Sequence, residues 1–375
     1  MRYLFLLIPI GLIAYVMMRI WNILPLNGLW KTIVTCLAIA ILIGMFVSVA
    51  VGLEKLPLNM ATIVYEICDS WLFILLYLLM IFLCMDLLRL VGIMPKEFLF
   101  SSWKGTLSVT ALVFIIFLYG NIHYYNKYRK EINIETAKID KPIKIVMMSD
   151  LHIGYHNRRS TLRKWVDMIN KEDPDLVLIG GDIIDISTYP LMKERSYEEF
   201  HRLKAPIFAC LGNHEYYASL EKTEQFYNLS KINLLRDSAA VFNNQLLIIG
   251  RDDRSVGKRQ TINKLKENFD TNLYSIVLDH QPYNLEQSSE NNIDFQFSGH
   301  THDGQLFPIN LITRAIYEKS FGEYHKQNTD YYITSGLGIW GGKFRIGTKS
   351  EYVVLNLRPK AKQKSVLIEE RQRKD

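Results

Sequence analysis

Cysteine is scarce in this chain. There are four in 375 residues, at positions 36, 68, 84 and 210, with no recurring spacing. That excludes a disulfide framework and a thiolate zinc site, and the four read as buried small apolar residues. No block of basic residues is interleaved with aromatics on one stripe, and the net charge of +6 is a mild excess, so nucleic acid is not an expected partner. Internal repeats and low-complexity tracts are missing as well. Charge itself is nearly absent from long runs before residue 126, whereas no bilayer-length apolar stretch exists after it.

Those early runs are Tyr3 to Met18, Thr32 to Leu53, Ser70 to Leu88 and Gly105 to Tyr125. Each is about long enough to cross a hydrocarbon core. Four in succession exceed what a soluble core uses. A cleavable signal peptide does not explain the first, because no small-residue cleavage site follows it. Trp21, Trp30, Trp71 and Trp103 fall near span ends, as interfacial aromatics do. Asp86 and Arg89 lie near the end of the third run, placed to pair or to snorkel. Residues 1–126 therefore read as an all-α, multi-pass transmembrane region of about four helices. Lys and Arg near the span ends divide evenly between the two sides. Lys138, Lys141 and Lys144 tip the balance towards a cytoplasmic catalytic domain. Residues 127–141 are polar and read as a linker or short helix, 142–360 as a soluble α/β domain, and 361–375 as a charged, solvated tail.

Within 142–360, five apolar runs each end in a polar cluster. Ile143 to Met148 leads to Asp150-Leu151-His152, and Leu176 to Ile179 leads to Gly180-Gly181-Asp182. Ile207 to Leu211 leads to Gly212-Asn213-His214-Glu215, Ser275 to Leu278 to His280, and Ile293 to Ser298 to Gly299-His300-Thr301-His302. A helical period over Leu162 to Asn170 and a turn at Asp173-Pro174-Asp175 separate the first two. Strand ends in a layered α/β domain present side chains at a common rim. Carboxylates, an amide oxygen and imidazoles meeting there can hold two divalent cations, a device for attacking phosphate esters. Any one cluster is an ordinary cap or turn; five in this order are not. The donors are nitrogen and oxygen without thiolate, compatible with Mn, Fe, Zn or Ni. Two cations held there would make water acidic and screen the substrate's charge, and an imidazole beside them could protonate the departing oxygen or stabilise developing charge. Arg158, Arg159 and, after Gly341-Gly342, Arg345 are candidate substrate-binding cations. His123, His201 and His325 read as span-end or surface residues, and His156 as surface or supporting.

The order D-x-H, G-D, G-N-H-E, H, G-H-T-H resembles the calcineurin-like metallophosphoesterase superfamily from Lys141 onward. It is most similar to the membrane-anchored bacterial branch, transmembrane proteins with a metallophosphoesterase domain. That closer match rests on Ser149 to His152, Gly299 to Gln305 and Ser335-Gly336-Leu337-Gly338. The resemblance implies two packed mixed β-sheets flanked by helices. It also implies one cation on Asp150, His152 and His302, a second on Asn213, His280 and His300, Asp182 bridging, and His214 beside the leaving group. Asp303 stands where the branch usually has Gly, adding negative charge near the site, and Glu215 stands where Asp is commoner.

The expected function is a membrane-bound, metal-dependent phosphohydrolase cleaving a phosphodiester or pyrophosphate bond. By analogy with this branch, a lipid-linked substrate such as UDP-diacylglucosamine is the most specific expectation, with membrane lipids as partners. Hydrolysis of nucleotides or other soluble phosphoesters is the alternative. A non-enzymatic metal-binding or regulatory protein, or a transporter subunit, belongs to another class. The first would be expected to lack a ligand or His214, and the second would carry more charge within its spans.

Overall fold

The computed structural model describes residues 2–360, and the charged tail falls outside the described residues. Four long helices come first: α1 (Arg2–Ile23), α2 (Gly28–Val51), α3 (Leu58–Leu90) and α4 (Trp103–Tyr125). Three of them, α2 to α4, are long and apolar enough to cross a membrane. The described apolar part of α1, Ile8–Ile23, is shorter than those three. Asn27 and Ser102 start α2 and α4 by accepting hydrogen bonds from the backbone N–H groups of Trp30 and Gly105. The helices pack on Val16, Ala38, Leu42, Leu78, Phe82 and Val109. Their outer faces stay apolar and exposed, as at Leu37, Phe46, Leu83 and Phe114. Cys36 and Cys84 lie on that exterior, unlike the buried Cys68 and Cys210. The expectation of four buried cysteines fails because an apolar exterior accepts a thiol as readily as a core does. Asp86 pairs with Arg19 at 3.0 Å and accepts from Tyr15 at 2.5 Å, and Arg89 instead covers the Phe100 ring.

The remainder is built on two mixed sheets. The first has the order β1-β12-β2-β3-β4-β5, from β1 (Lys127–Thr136), β2 (Ile143–Met148), β3 (Leu176–Ile179), β4 (Ile207–Ala209), β5 (Asn233–Leu234) and β12 (Ser350–Pro359). The second has the order β10-β11-β9-β8-β7-β6. Its strands are β6 (Ser238–Phe242), β7 (Leu246–Gly250), β8 (Tyr274–Leu278), β9 (Phe295–Ser298), β10 (Gly322–Lys326) and β11 (Thr329–Ile333). Alternation places Ile145 and Met147 between the sheets, with Leu178, Ile276 and Phe297. It places Val146 and Met148 outward against Leu162, Trp165 and Ile169 of α5 (Arg159–Lys171). Both faces of the parallel strands are covered, which explains their unbroken apolar runs.

The segment 127–141, read as a linker, contains the ten-residue strand β1 instead. It runs parallel to β12 from Lys127↔Ser350 to Thr136↔Pro359. Its charges face outward and Ile132 is buried between the sheets. Alternation of Lys, Arg, Glu and Asn with Tyr and Ile is an edge-strand pattern. Its charges at 127, 131 and 135 also fall four apart, a spacing shared with a helical face, which is why a strand here differs from the linker expected. With β1 following α4 directly, the last helix of the bundle passes into the first sheet without a free tether.

Candidate metal centre

Strands β2, β3 and β4 run parallel, so their C-terminal ends share one rim, and β8 and β9 bring the second sheet's ends to the same place. Asp150, His152, Asp182, His300 and His302 leave the strands with φ between 44° and 70°. That left-handed backbone turns their side chains inward, at a cost of about 1–3 kcal/mol each. Gly212 and Gly299 allow the approach. A Cβ at Gly212 would stand 2.2 Å from Asp182 Oδ1, and one at Gly299 would stand 2.3 Å from Asp150 Oδ2.

Two separate groups of donors result, with a third, His152, Asp185 and His214, overlapping the first. Asp150, His152 and His302 offer atoms within 4.8 Å of one another, and so do Asp182, His280 and His300. In the first, His152 Nε2 lies 3.1 Å from His302 Nε2, and Asp150 Oδ1 lies 3.3 Å from His302 Nε2. In the second, His280 Nε2 faces Asp182 Oδ2 at 3.1 Å, and His300 Nδ1 lies 2.8 Å from Asn213 Oδ1. Asp182 also approaches the first group, its Oδ2 lying 3.6 Å from His152 Nε2. Asn213 heads the short helix α6 (Asn213–Tyr217), which precedes α7 (Leu220–Ser230) and whose His214 N–H donates to Asp182 Oδ1 at 3.0 Å.

These donors are oriented for a cation. His280 Nδ1 donates to the Gly180 carbonyl at 2.7 Å and its Nε2 faces Asp182; burial lowers the His280 pKa, but Asp182 prevails and raises it well above the ordinary value, so Nε2 carries a proton that a cation would displace. Asp150 Oδ2 and His280 Nε2 are buried and have no hydrogen-bond partner. Lone pairs facing lone pairs in a dry site require a proton or a cation between them. Burial, reinforced by His280, lowers the pKa of His300 to about 4, and burial with His152 holds His302 well below the ordinary value. Both imidazoles are therefore neutral and free to ligate at pH 7. Burial opposes charge on Asp182, but His280 and His214 outweigh it and keep the carboxylate ionised. The residues present thus fit two divalent cations sharing Asp182.

His214 stands beside both groups and is partly exposed. Its Nδ1 donates to the Asp185 carbonyl at 3.2 Å and lies 3.4 Å from Asp185 Oδ1. Burial lowers its pKa, but Asp182 and Asp185 prevail and raise it to about 9. Asp185 was not expected. Its Oδ1 faces His152 Nδ1 at 3.3 Å, and its Oδ2 accepts from Tyr65 of α3 at 2.6 Å. The Asp182-x-x-Asp185 spacing was the available signal, but Tyr65, 120 positions earlier, gave none. Glu215, noted only as a departure from Asp, accepts from the N–H groups of Asp182, Ile184 and Gly212 at 2.7–3.0 Å, locking two of the loops together. His156, expected at the surface or in support, is buried, donates to the Ile339 carbonyl and stacks on Tyr65.

The three candidate arginines lie apart from this group. Arg158 is engaged by Glu194 and Asn59, and Arg159 by Glu198 and Glu199. Arg345 is fully buried and donates to Ser350 Oγ and to the carbonyls of His302, Ser335 and Gly338. It holds the His302 loop in place, its guanidinium enclosed by these acceptors. The Asp303 carboxylate is bound by Arg314 at 3.2 and 3.1 Å, which offsets the extra charge expected there.

The calcineurin-like phosphoesterase family model matches residues 143–304. A Helicobacter pylori metallophosphoesterase is 33% identical over 62% of this chain and 64% of its own length. One from Aquifex aeolicus is 32% identical over 64% of this chain and 96% of its own length. A zebrafish (Danio rerio) transmembrane protein with metallophosphoesterase domain is 26% identical over 86% of this chain and 79% of its own length. The chain therefore spans just under two thirds of the Helicobacter relative.

Gly212→Ala is expected to fold but to lose divalent-cation binding, since its methyl would displace the shared carboxylate. Calorimetric titration of Mn into the chelator-treated protein checks this, and wild-type affinity in the variant would contradict it.

Proposed function

We propose a function for this chain, which belongs to the calcineurin-like phosphoesterase family. It is a membrane-held phosphohydrolase that cleaves a phosphodiester or pyrophosphate bond at a two-cation centre. The observation that supports this most is the Asp182 carboxylate, set between two groups of inward-facing lone pairs and within reach of His214. Asp150, His152 and His302 would hold one cation, and Asn213, His280 and His300 the other. When bound, such a pair supplies Lewis acidity and makes water nucleophilic at neutral pH.

The chain's own groups do the rest. Water adds to phosphorus and releases a proton to solvent, the bond to the departing oxygen breaks, that oxygen takes a proton from His214, and His214 is reprotonated from solvent. With Nδ1–H committed to Asp185, Nε2–H of His214 is the proton available for transfer. A pKa raised to about 9 keeps that proton in place at neutral pH, and bound cations would bring it down towards the operating range. Asp185 positions His214 and His152 together, so the acid and one ligand share a support.

The helices α2 to α4 support a membrane location, and a substrate at the bilayer follows from it. The rim beside His300 favours a nucleotide portion in that substrate. Tyr283 and Tyr317 meet at a tilt of 39° with centroids 4.8 Å apart, Tyr317 is 6.4 Å from His300, and Arg254 covers the Tyr283 ring at 4.3 Å. An aromatic plane with a cation above it suits a base and a phosphate. A lipid-linked nucleotide such as UDP-diacylglucosamine has both parts; a free nucleotide has one.

Asp182→Ala and His300→Ala are each expected to abolish phosphodiesterase activity while the protein stays folded and in the membrane. Full activity in either would refute the assignment. His214→Ala is expected to slow esters of poor leaving groups by about 10²–10⁴-fold and to spare nitrophenyl esters, which need no acid. Equal losses on both would remove His214 from that role. On a paired assay, a UDP-linked lipid is expected to be preferred over a soluble diester, with Tyr317→Ala raising KM for the UDP substrate alone. Preference for the soluble ester would leave the phosphohydrolase and dismiss the lipid.

A further inference from the structure

The helix α8 (Ile309–Ile316) wears its faces inside out. Asn310 is buried and Arg314, itself half-exposed, turns to Asp303, so the polar side faces the domain. Leu311, Ile312 and Ile316 are 53%, 56% and 64% exposed, and the preceding Phe307 is 43% exposed. On a helix these apolar residues share one stripe with Ile309. A helix of a soluble domain buries that stripe.

Its position says what covers it. The domain touches α3 at a series of levels: Asp185 at Tyr65, Trp340 at Phe73, and the Phe307 carbonyl at the Tyr77 hydroxyl, 2.7 Å away. Tyr77 is twelve residues past Tyr65, about 18 Å further along the helix, inside the charge-free run from Ser70 to Met85. The neighbouring Leu306 packs with Phe117 of α4, whose outward Leu118 and Ile122 continue the apolar exterior towards the domain. The start of α8 thus sits at a depth where the adjoining helices still present an apolar surface.

We propose that Phe307 and α8 lie in the bilayer interface, with the apolar stripe among the acyl chains, so that one rim of the metal site is held at the lipid surface. The link to the site is short. Tyr317 directly follows α8 and faces His300, and Arg314 ties α8 to Asp303, the residue after His302. This rests on the membrane reading of α2 to α4.

The full-length chain is reconstituted into phosphatidylethanolamine–phosphatidylglycerol vesicles containing a phospholipid with a photoreactive diazirine on its acyl chain. After irradiation, labelled positions are mapped by mass spectrometry. Label is expected on α2 to α4 and on 307–316, but not at Leu229 or Val241, exposed apolar residues elsewhere in the domain. The double variant Ile312→Glu/Ile316→Glu is expected to lose label on 307–316 and keep it on the helices. Label on the helices with none on 307–316, or 307–316 cross-linked to protein instead of lipid, overturns the proposal alone. Label on neither overturns the membrane reading and the proposal together.

Discussion

The centre depends on one carboxylate. Asp182 Oδ2 is shared between His152 and His280, and its Oδ1 accepts the His214 N–H. A charged group this deeply buried is tolerable only with compensating positive charge on several sides. The imidazoles supply part of it, and two divalent cations would supply the rest. The left-handed backbone at the ligands, the glycines that clear room for the carboxylate, and the Glu215 clamp on the Asp182 and Gly212 loops all hold that oxygen pair in place.

The helical bundle is part of the same construction. Tyr65 reaches from α3 to Asp185, which faces both His152 and His214. Tyr124 of α4 donates to Asn157, and Glu66 pairs with Lys343 at 2.7 Å. Together with β1 continuing directly from α4, these contacts make the orientation of the metal-bearing domain a property of the helices. A change in helix packing would reach the proposed acid through two hydrogen bonds.

The strands β2, β3, β8 and β9 and the ligands after them were legible because each is a short apolar run with its donors at one end. Periodicity and motif thus point to the same place. Asp182 and His300 could be placed at the shared rim without coordinates for that reason. Residues acting across the fold could not. Tyr65 contributes through a contact 120 positions away, and Arg345 looked like a substrate cation because sequence does not show that its guanidinium is enclosed by carbonyls. The edge strand β1 was hidden by charges at a spacing that helices share. Asp303 looked like a free charge because its partner, Arg314, lies on the next helix.

The central claim is that these side chains hold two cations around Asp182. The most direct measurement is the divalent metal content of the full-length protein, by inductively coupled plasma mass spectrometry after reloading with Mn and removal of free metal. The account predicts two ions per chain in the native protein and fewer in Asp182→Asn, in keeping with the two donor groups. A native chain that retains one ion or none, or an Asp182→Asn variant that retains both, would contradict it.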